Sequence, residues 1–197
     1  MCGRYYFQFK KDSVSLFLQE LVNKKYLRKF ASNEIFPSNH ALVLFHNGNS
    51  YDIDVMKWGI DLYKKSSIIN ARSETFRKKN FFSNISENLC LIPCNGFYEW
   101  KTNGRIKKKI YIYEKNQSIM YMAGIYNERK EFVILTQESK STLKGIHHRM
   151  PVLVLDNKKD DFFNGLLDFT NQEDNLCFEN KAKEVISPCF SQVKFEL

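Results

Sequence analysis

The 197-residue chain has no apolar run approaching the 18 residues that a membrane-spanning helix needs. Nor does it have a basic start followed by an apolar stretch that would direct export. The expectation is a cytoplasmic protein, nucleoid-associated if bacterial, with no membrane partner. With only four prolines and eight glycines, no low-complexity linker, repeat or composition shift marks a second domain, and one domain over 1–197 is expected. Cysteine is sparse and odd in number at five, which argues for reduced thiols over a disulfide framework. Acidic residues are outnumbered, 22 against 30 Lys and Arg. The resulting net charge of +8 and isoelectric point near 9.1 suit an acidic partner, nucleic acid first, although lysine-rich surfaces also serve solubility alone.

What is present is apolar and aromatic, at 43% and 15%, enough for a packed core and too much for disorder. Cys90 and Cys94, with His147 and His148, invite a zinc reading. Residues four apart on an extended strand lie about 13 Å apart, too far for one tetrahedral ion. No metal or cofactor is therefore expected, and Cys90, Cys94, Cys177 and Cys189 are read as small packing residues.

Asp12 or Ser13 can cap a helix carrying Val14, Phe17, Leu18 and Leu21 at helical spacing, with Leu27 and Phe30 as an extension. ALVLF and YDIDVMKW flank an Asn47-Gly48 turn. LCLIP, GFYEW, IKKKIYIY, IMYMAGIY, EFVILT and MPVLVL follow as strands, with hairpin-like separators at 102–104 and 115–118. Helical patterning recurs only near 73–80, 139–144, 159–167 and 173–183. Strands in succession predict an α+β fold, a mainly antiparallel, twisted, barrel-like sheet with peripheral helices.

Polar residues stand out in MCGR (1–4), INARSET (69–75), NGFYEW (95–100) and IHHRMPV (146–152). An extended INARSET puts Asn70, Arg72 and Glu74 on one face, where Asn can donate and accept and Arg can fork onto phosphate. The plain alternative is a strand entering a helix capped by Ser73. Glu99 sits among Phe97, Tyr98 and Trp100, and desolvation there would raise its pKa and make it a proton donor. A glutamate reaching solvent, or pairing with Lys101 or Arg105, is the alternative. Neighbours on a strand face opposite ways, so only one of His147 and His148 can enter a given site.

Taken in order, MCGR, NARSET, CLIPCNGFYEW and IHHRMPV resemble the SOS-response-associated peptidase (SRAP) family of abasic-site processing proteins. WG at 58–59 and the AGIY and FVILT segments also fit, and the likeness runs from Met1 to about Leu155. The resemblance implies covalent capture of abasic sites in single-stranded DNA, with lyase and self-processing activity alongside it and a role in the DNA damage response; a monomer is expected. It implies catalytic roles for Cys2, Asn70, Glu99 and His147, and DNA contacts from Arg4, Arg72 and Arg149. Pro37 and Trp58 match as apolar groups near the DNA path, while His148 stands where the family's motif usually has aspartate.

The chemistry gives a reason for a cysteine at position 2. Removal of Met1 would place a thiol and an α-amine on one residue. With a reference pKa of about 7.7–8.0, that amine is far more often neutral than a lysine amine. It can form an imine with the open-chain aldehyde of an abasic sugar, and the thiol can close a five-membered thiazolidine on that imine. Two readings compete: an N-terminal-nucleophile amidotransferase, suggested by the MCG start alone, and a basic single-strand binder without chemistry.

Overall fold

Residues 40–46 and 51–58 pair as the hairpin that their strand-like apolar runs and the intervening Asn-Gly suggest, Ala41 opposite Met56 and Leu44 opposite Ile53 across an antiparallel ladder. The computed structural model describes residues 2–25, 30–48, 50–62, 66–140, 143–166, 176–180 and 185–186. In chain order these give β1 (Tyr5–Phe7), α1 (Ser13–Lys25), β2 (Asn33–Ile35), β3 (His40–His46), β4 (Tyr51–Trp58), β5 (Ile60–Asp61), β6 (Ser67–Ile68) and β7 (Asn70–Arg72). Two 3-10 segments, Phe76–Lys78 and Asn80–Ile85, lead into β8 (Leu89–Cys94), β9 (Gly96–Asn103) and β10 (Ile106–Glu114). There follow β11 (Met120–Tyr126), β12 (Glu131–Glu138), β13 (Arg149–Pro151), β14 (Leu153–Val154), α2 (Lys159–Phe163), β15 (Leu176–Asn180) and β16 (Val185–Ile186).

The strands make two principal sheets. In one, β4, β3, β8, β11 and β12 are hydrogen-bonded in succession and β12 pairs back to β4, closing a ring; β7 and β13 lie on β12, and β14 on β11. Closure brings backbones so near at Gly124 that a Cβ there would stand 2.6 Å from Ile92 and 2.7 Å from the Val133 carbonyl oxygen. The second sheet runs β15-β10-β9-β1-β2, with β16 also on β10, and β5 and β6 form a separate pair. Both sheets bury their apolar faces in one cluster that includes Phe97, Ile112, Leu91 and Val133. The fold is thus α+β with few, peripheral helices.

Asp12 caps α1, its carboxylate accepting from the Ser15 N–H at 2.8 Å, and the helix buries Leu18 and Ser15 fully. Leu27 lies outside the described residues. Phe30 is not helical and packs on Phe7 and Phe9. The 73–80 stretch forms a turn and 3-10 segments, the 159–167 helix shortens to Lys159–Phe163, and the 139–144 stretch falls partly outside the described residues. Two expectations are overturned. Residues 176–180 are a strand, not part of a helix at 173–183, because the open edge of β10 offers a ladder of backbone partners. Residues 115–118 do not close a hairpin, because the strands they join belong to different sheets.

Cys90 and Cys94 are fully buried in β8, where burial pushes both thiols up. Among the described residues, no group of three or more His, Cys, Asp or Glu side chains could hold a metal ion. Likewise, none of the described helices is long and apolar enough to cross a membrane. Cys177 is half-buried in β15, and Cys189 lies outside the described residues.

Candidate active site

The N-terminal segment enters the molecule because β1 is an inner strand, held between β9 and β2 with Tyr5 opposite Phe97 and Ile35. That pairing carries Cys2 beneath the surface, where it is fully buried. Its thiol faces the Arg4 carbonyl oxygen at 3.7 Å, and its own carbonyl accepts from Asn70 Nδ2 at 2.9 Å. β7 is held on β12 with Asn70 opposite Ile134, so this contact joins the first residues to the ring of strands. Asn70 Oδ1 is buried with no hydrogen-bond partner among the described residues.

Glu99 lies on β9 on the same face as Phe97, and only 3% of it is exposed. Burial raises its carboxyl pKa above the ordinary glutamate range. Burial, and then the nearby Glu99 charge, push the Cys2 thiol up as well, so it is held protonated. Glu99 and His147 line one narrow, tightly packed crevice together with Ser139 and Arg149. His147 precedes β13, and its Nδ1 lies 3.0 Å from both the N–H and the carbonyl oxygen of Arg149. The ring therefore meets the same residue whichever nitrogen bears the proton. Burial lowers the His147 pKa, favouring the neutral imidazole. His148 is exposed and stacks on His147 with centroids 4.4 Å apart.

The arginines are placed unequally. Arg4 is half-exposed, its guanidinium 4.1 Å from the Phe36 ring centroid and 5.1 Å from that of Trp100. It donates to Glu34 at 3.0 Å, and Lys109 donates to the same carboxylate. Arg72 is exposed at the end of β7, and Pro37 is half-buried beside the exposed Phe36. Trp58 and Arg149, the other two residues expected near DNA, are both buried. Trp58 is wholly buried, packed on Tyr5 and Phe132, and its indole N–H donates to the Ile69 carbonyl, so it supports the site from below. Arg149 is buried, donating to Glu74 at 2.7 and 2.9 Å and to the Thr136 carbonyl at 2.6 Å. Its guanidinium ties β13 to β12 and to the segment that follows β7, and is buried in those contacts.

That pair makes a stability prediction. Hydrogen bonds from Arg149 hold the Glu74 carboxyl below the usual range. A depressed carboxylate contributes stability above its unfolded pKa, about 4.3, and loses it as pH falls through the folded value. The Glu74 side chain is 41% exposed, so solvent screens part of the interaction. Glu74→Gln is expected to cost about 1–2 kcal/mol in urea unfolding at pH 7, and much less at pH 3. Equal losses at both pH values would refute the pairing.

Local sequence carried no sign of Glu34 or Thr136 as partners, since each meets its arginine across 30 and 13 residues of chain.

With this geometry in view, comparison with known proteins is specific. The sequence profile of the SOS response associated peptidase (SRAP) family matches residues 1–191. Abasic site processing protein YobE of Bacillus subtilis is 28% identical over 149 residues, covering 68% of each chain. YoqW of the same species is 26% identical over 183 residues, covering 83% of this chain and 80% of its own. YedK of Escherichia coli is 25% identical over 169 residues, covering 78% and 75%. Among solved structures, a Bordetella bronchiseptica protein superposes with a TM-score of 0.70 at 16% identity, over 90% of this chain and 98% of that one. A Bacteroides thetaiotaomicron protein gives 0.65 at 22%, over 85% and 83%.

Proposed function

The chain belongs to the SOS response associated peptidase family, and on that premise we propose that it captures abasic sites in single-stranded DNA covalently through Cys2. The observation that carries this reading is the convergence on one buried residue. Cys2 is held by Asn70 and lies beside Glu99, whose carboxyl is pushed up and which shares a crevice with His147. A structural cysteine needs none of these neighbours.

The chemistry starts with loss of Met1, which frees the α-amine of Cys2. Glu99, protonated, donates to the ring oxygen of the abasic sugar and opens it to the aldehyde. The neutral α-amine adds to the aldehyde carbon, and water leaves as the imine forms. His147, neutral, takes and returns protons in these additions. The Cys2 sulfur then bonds to the imine carbon while its proton passes to nitrogen, closing the thiazolidine. A thiol held protonated suits this order, because the amine attacks first and sulfur second. Asn70 fixes the Cys2 backbone, so both nucleophiles start in place. Arg4 and Arg72 bind flanking phosphates without reading bases, Pro37 borders the strand's path, and the protein works as a monomer. Strand cleavage and removal of Met1 by the chain itself would be side activities of the same centre.

The test incubates Met1-free protein with a single-stranded oligonucleotide bearing one abasic site, followed by denaturing electrophoresis. A heat-stable, shifted band is expected with the abasic strand and none with the undamaged strand. Its absence would sink the reading.

A further inference from the structure

The site described above uses the inner face of β9. The outer face of the same sheet carries a second feature that the capture chemistry does not use. Strand alternation puts Tyr98 opposite to Phe97 and Glu99, and the register sets Tyr111 beside Tyr98 and Tyr6 beside Gly96. Four tyrosine rings meet there. Tyr98 and Tyr111 lie 5.1 Å apart between centroids, Tyr111 and Tyr113 stack at 5.6 Å and 18°, and Tyr6 meets Tyr111 edge-on at 6.4 Å. They border a cleft of about 600 Å³, the size of a ligand site, with Lys10 and Lys115 in its walls and, among the described residues, Glu114 the one acidic side chain lining it.

The cleft is built, not incidental. The Tyr111 ring lies so close over Gly96 that a Cβ there would stand 2.5 Å from its Cζ and 2.6 Å from the Ile112 carbonyl oxygen. Buried Asn95 ties the two walls together, accepting from the Gln8 N–H and donating to the Ser118 carbonyl, each at 2.6 Å. The Lys109 ammonium stands 4.0 Å from the Tyr98 centroid.

We propose that this tyrosine cleft binds an unpaired stretch of single-stranded nucleic acid, its bases stacking on Tyr6 and Tyr113 over a floor of Tyr98 and Tyr111 and its phosphates held by Lys10 and Lys115. Every base has a face to stack, so such a platform tolerates any sequence, and fixed rings surrender little entropy on binding. The flanking cations and the chain's net charge of +8 favour a polyanion over a neutral peptide.

Undamaged oligomers test this without any covalent step, so the result is independent of the capture reaction. Thymidine and uridine oligomers are titrated by fluorescence anisotropy against the wild type, Tyr113→Ala, Tyr113→Phe and Lys115→Glu. Tyr113→Ala is expected to bind about tenfold more weakly, and Tyr113→Phe, which keeps the ring, like the wild type. Lys115→Glu is expected to weaken binding and flatten the dependence of log affinity on log salt by about one. Losses confined to thymidine or to uridine oligomers identify DNA or RNA as the occupant, and losses with both admit either sugar. Wild-type affinity of Tyr113→Ala and Lys115→Glu for both oligomers would overturn the proposal.

Discussion

Cys2→Ala is expected to abolish the heat-stable product with abasic DNA altogether, a loss of at least a hundredfold in covalent yield, judged by the near-total dependence of covalent catalysis on its nucleophile. The variant keeps an α-amine once Met1 is removed, so it can still form the imine. Two consequences separate it from a variant that has merely unfolded. Borohydride, which reduces an imine to a stable amine, should restore a crosslinked band. Without borohydride, the imine has no thiol to trap it and should drain toward β-elimination, so strand breaks should rise above the wild-type level. A thermally stable crosslink in Cys2→Ala without borohydride would remove the thiol from the mechanism. Retaining Met1 should be equally damaging, because the amine then sits on a different residue from the sulfur. Mass spectrometry of the crosslinked peptide would locate the attachment.

The second large effect belongs to Glu99. Glu99→Gln preserves the shape of a fully packed side chain but cannot give up a proton. General-acid catalysis is typically worth about 10²- to 10⁴-fold, and a slowing of that order is expected in single-turnover crosslinking. The pH dependence has a definite sign. Burial raises the Glu99 pKa, so the proton donor is present below that value and is lost as pH rises through it. The wild-type rate should fall on that alkaline limb, and Glu99→Gln should lack it. Stability should move the other way. A glutamate with a raised folded pKa disfavours the folded state once pH exceeds the unfolded pKa of about 4.3. Glu99→Gln should therefore be the more stable protein at pH 7 in urea unfolding, while Glu99→Gln and wild type converge near pH 3. Slower chemistry in a sturdier protein is the mark of a group kept for reaction instead of packing. An unchanged crosslinking rate would withdraw the acid role.

Much of the molecule was legible along the chain because the signals are local. Strand-like runs separated by Asn47-Gly48 or Thr102-Asn103-Gly104 suggest hairpins by turn chemistry alone, and both hairpins form, the second turning at Gly104-Arg105. Asp12 reads as a helix cap because its carboxylate reaches a backbone N–H three residues ahead, and it does. Glu99 reads as a desolvated acid because its aromatic neighbours are adjacent in sequence, and burial raises its pKa as expected. The 173–183 stretch failed because helical spacing there competes with the unpaired edge of β10, a partner more than 60 residues earlier in the chain.

The sequence by itself determined the strand-rich character, the turns and the residue types that chemistry at Cys2 requires, since each depends on neighbours within a few residues. Tertiary structure alone decided that the sheet closes from β12 onto β4, that Cys2 lies under the surface against Asn70 and Glu99, and that Trp58 and Arg149 face inward. It also gathered Tyr6, Tyr98, Tyr111 and Tyr113 from three strands onto one face. Contacts between residues tens of positions apart are set by strand register and by which face each strand buries, and neither quantity is written in any short segment of the chain.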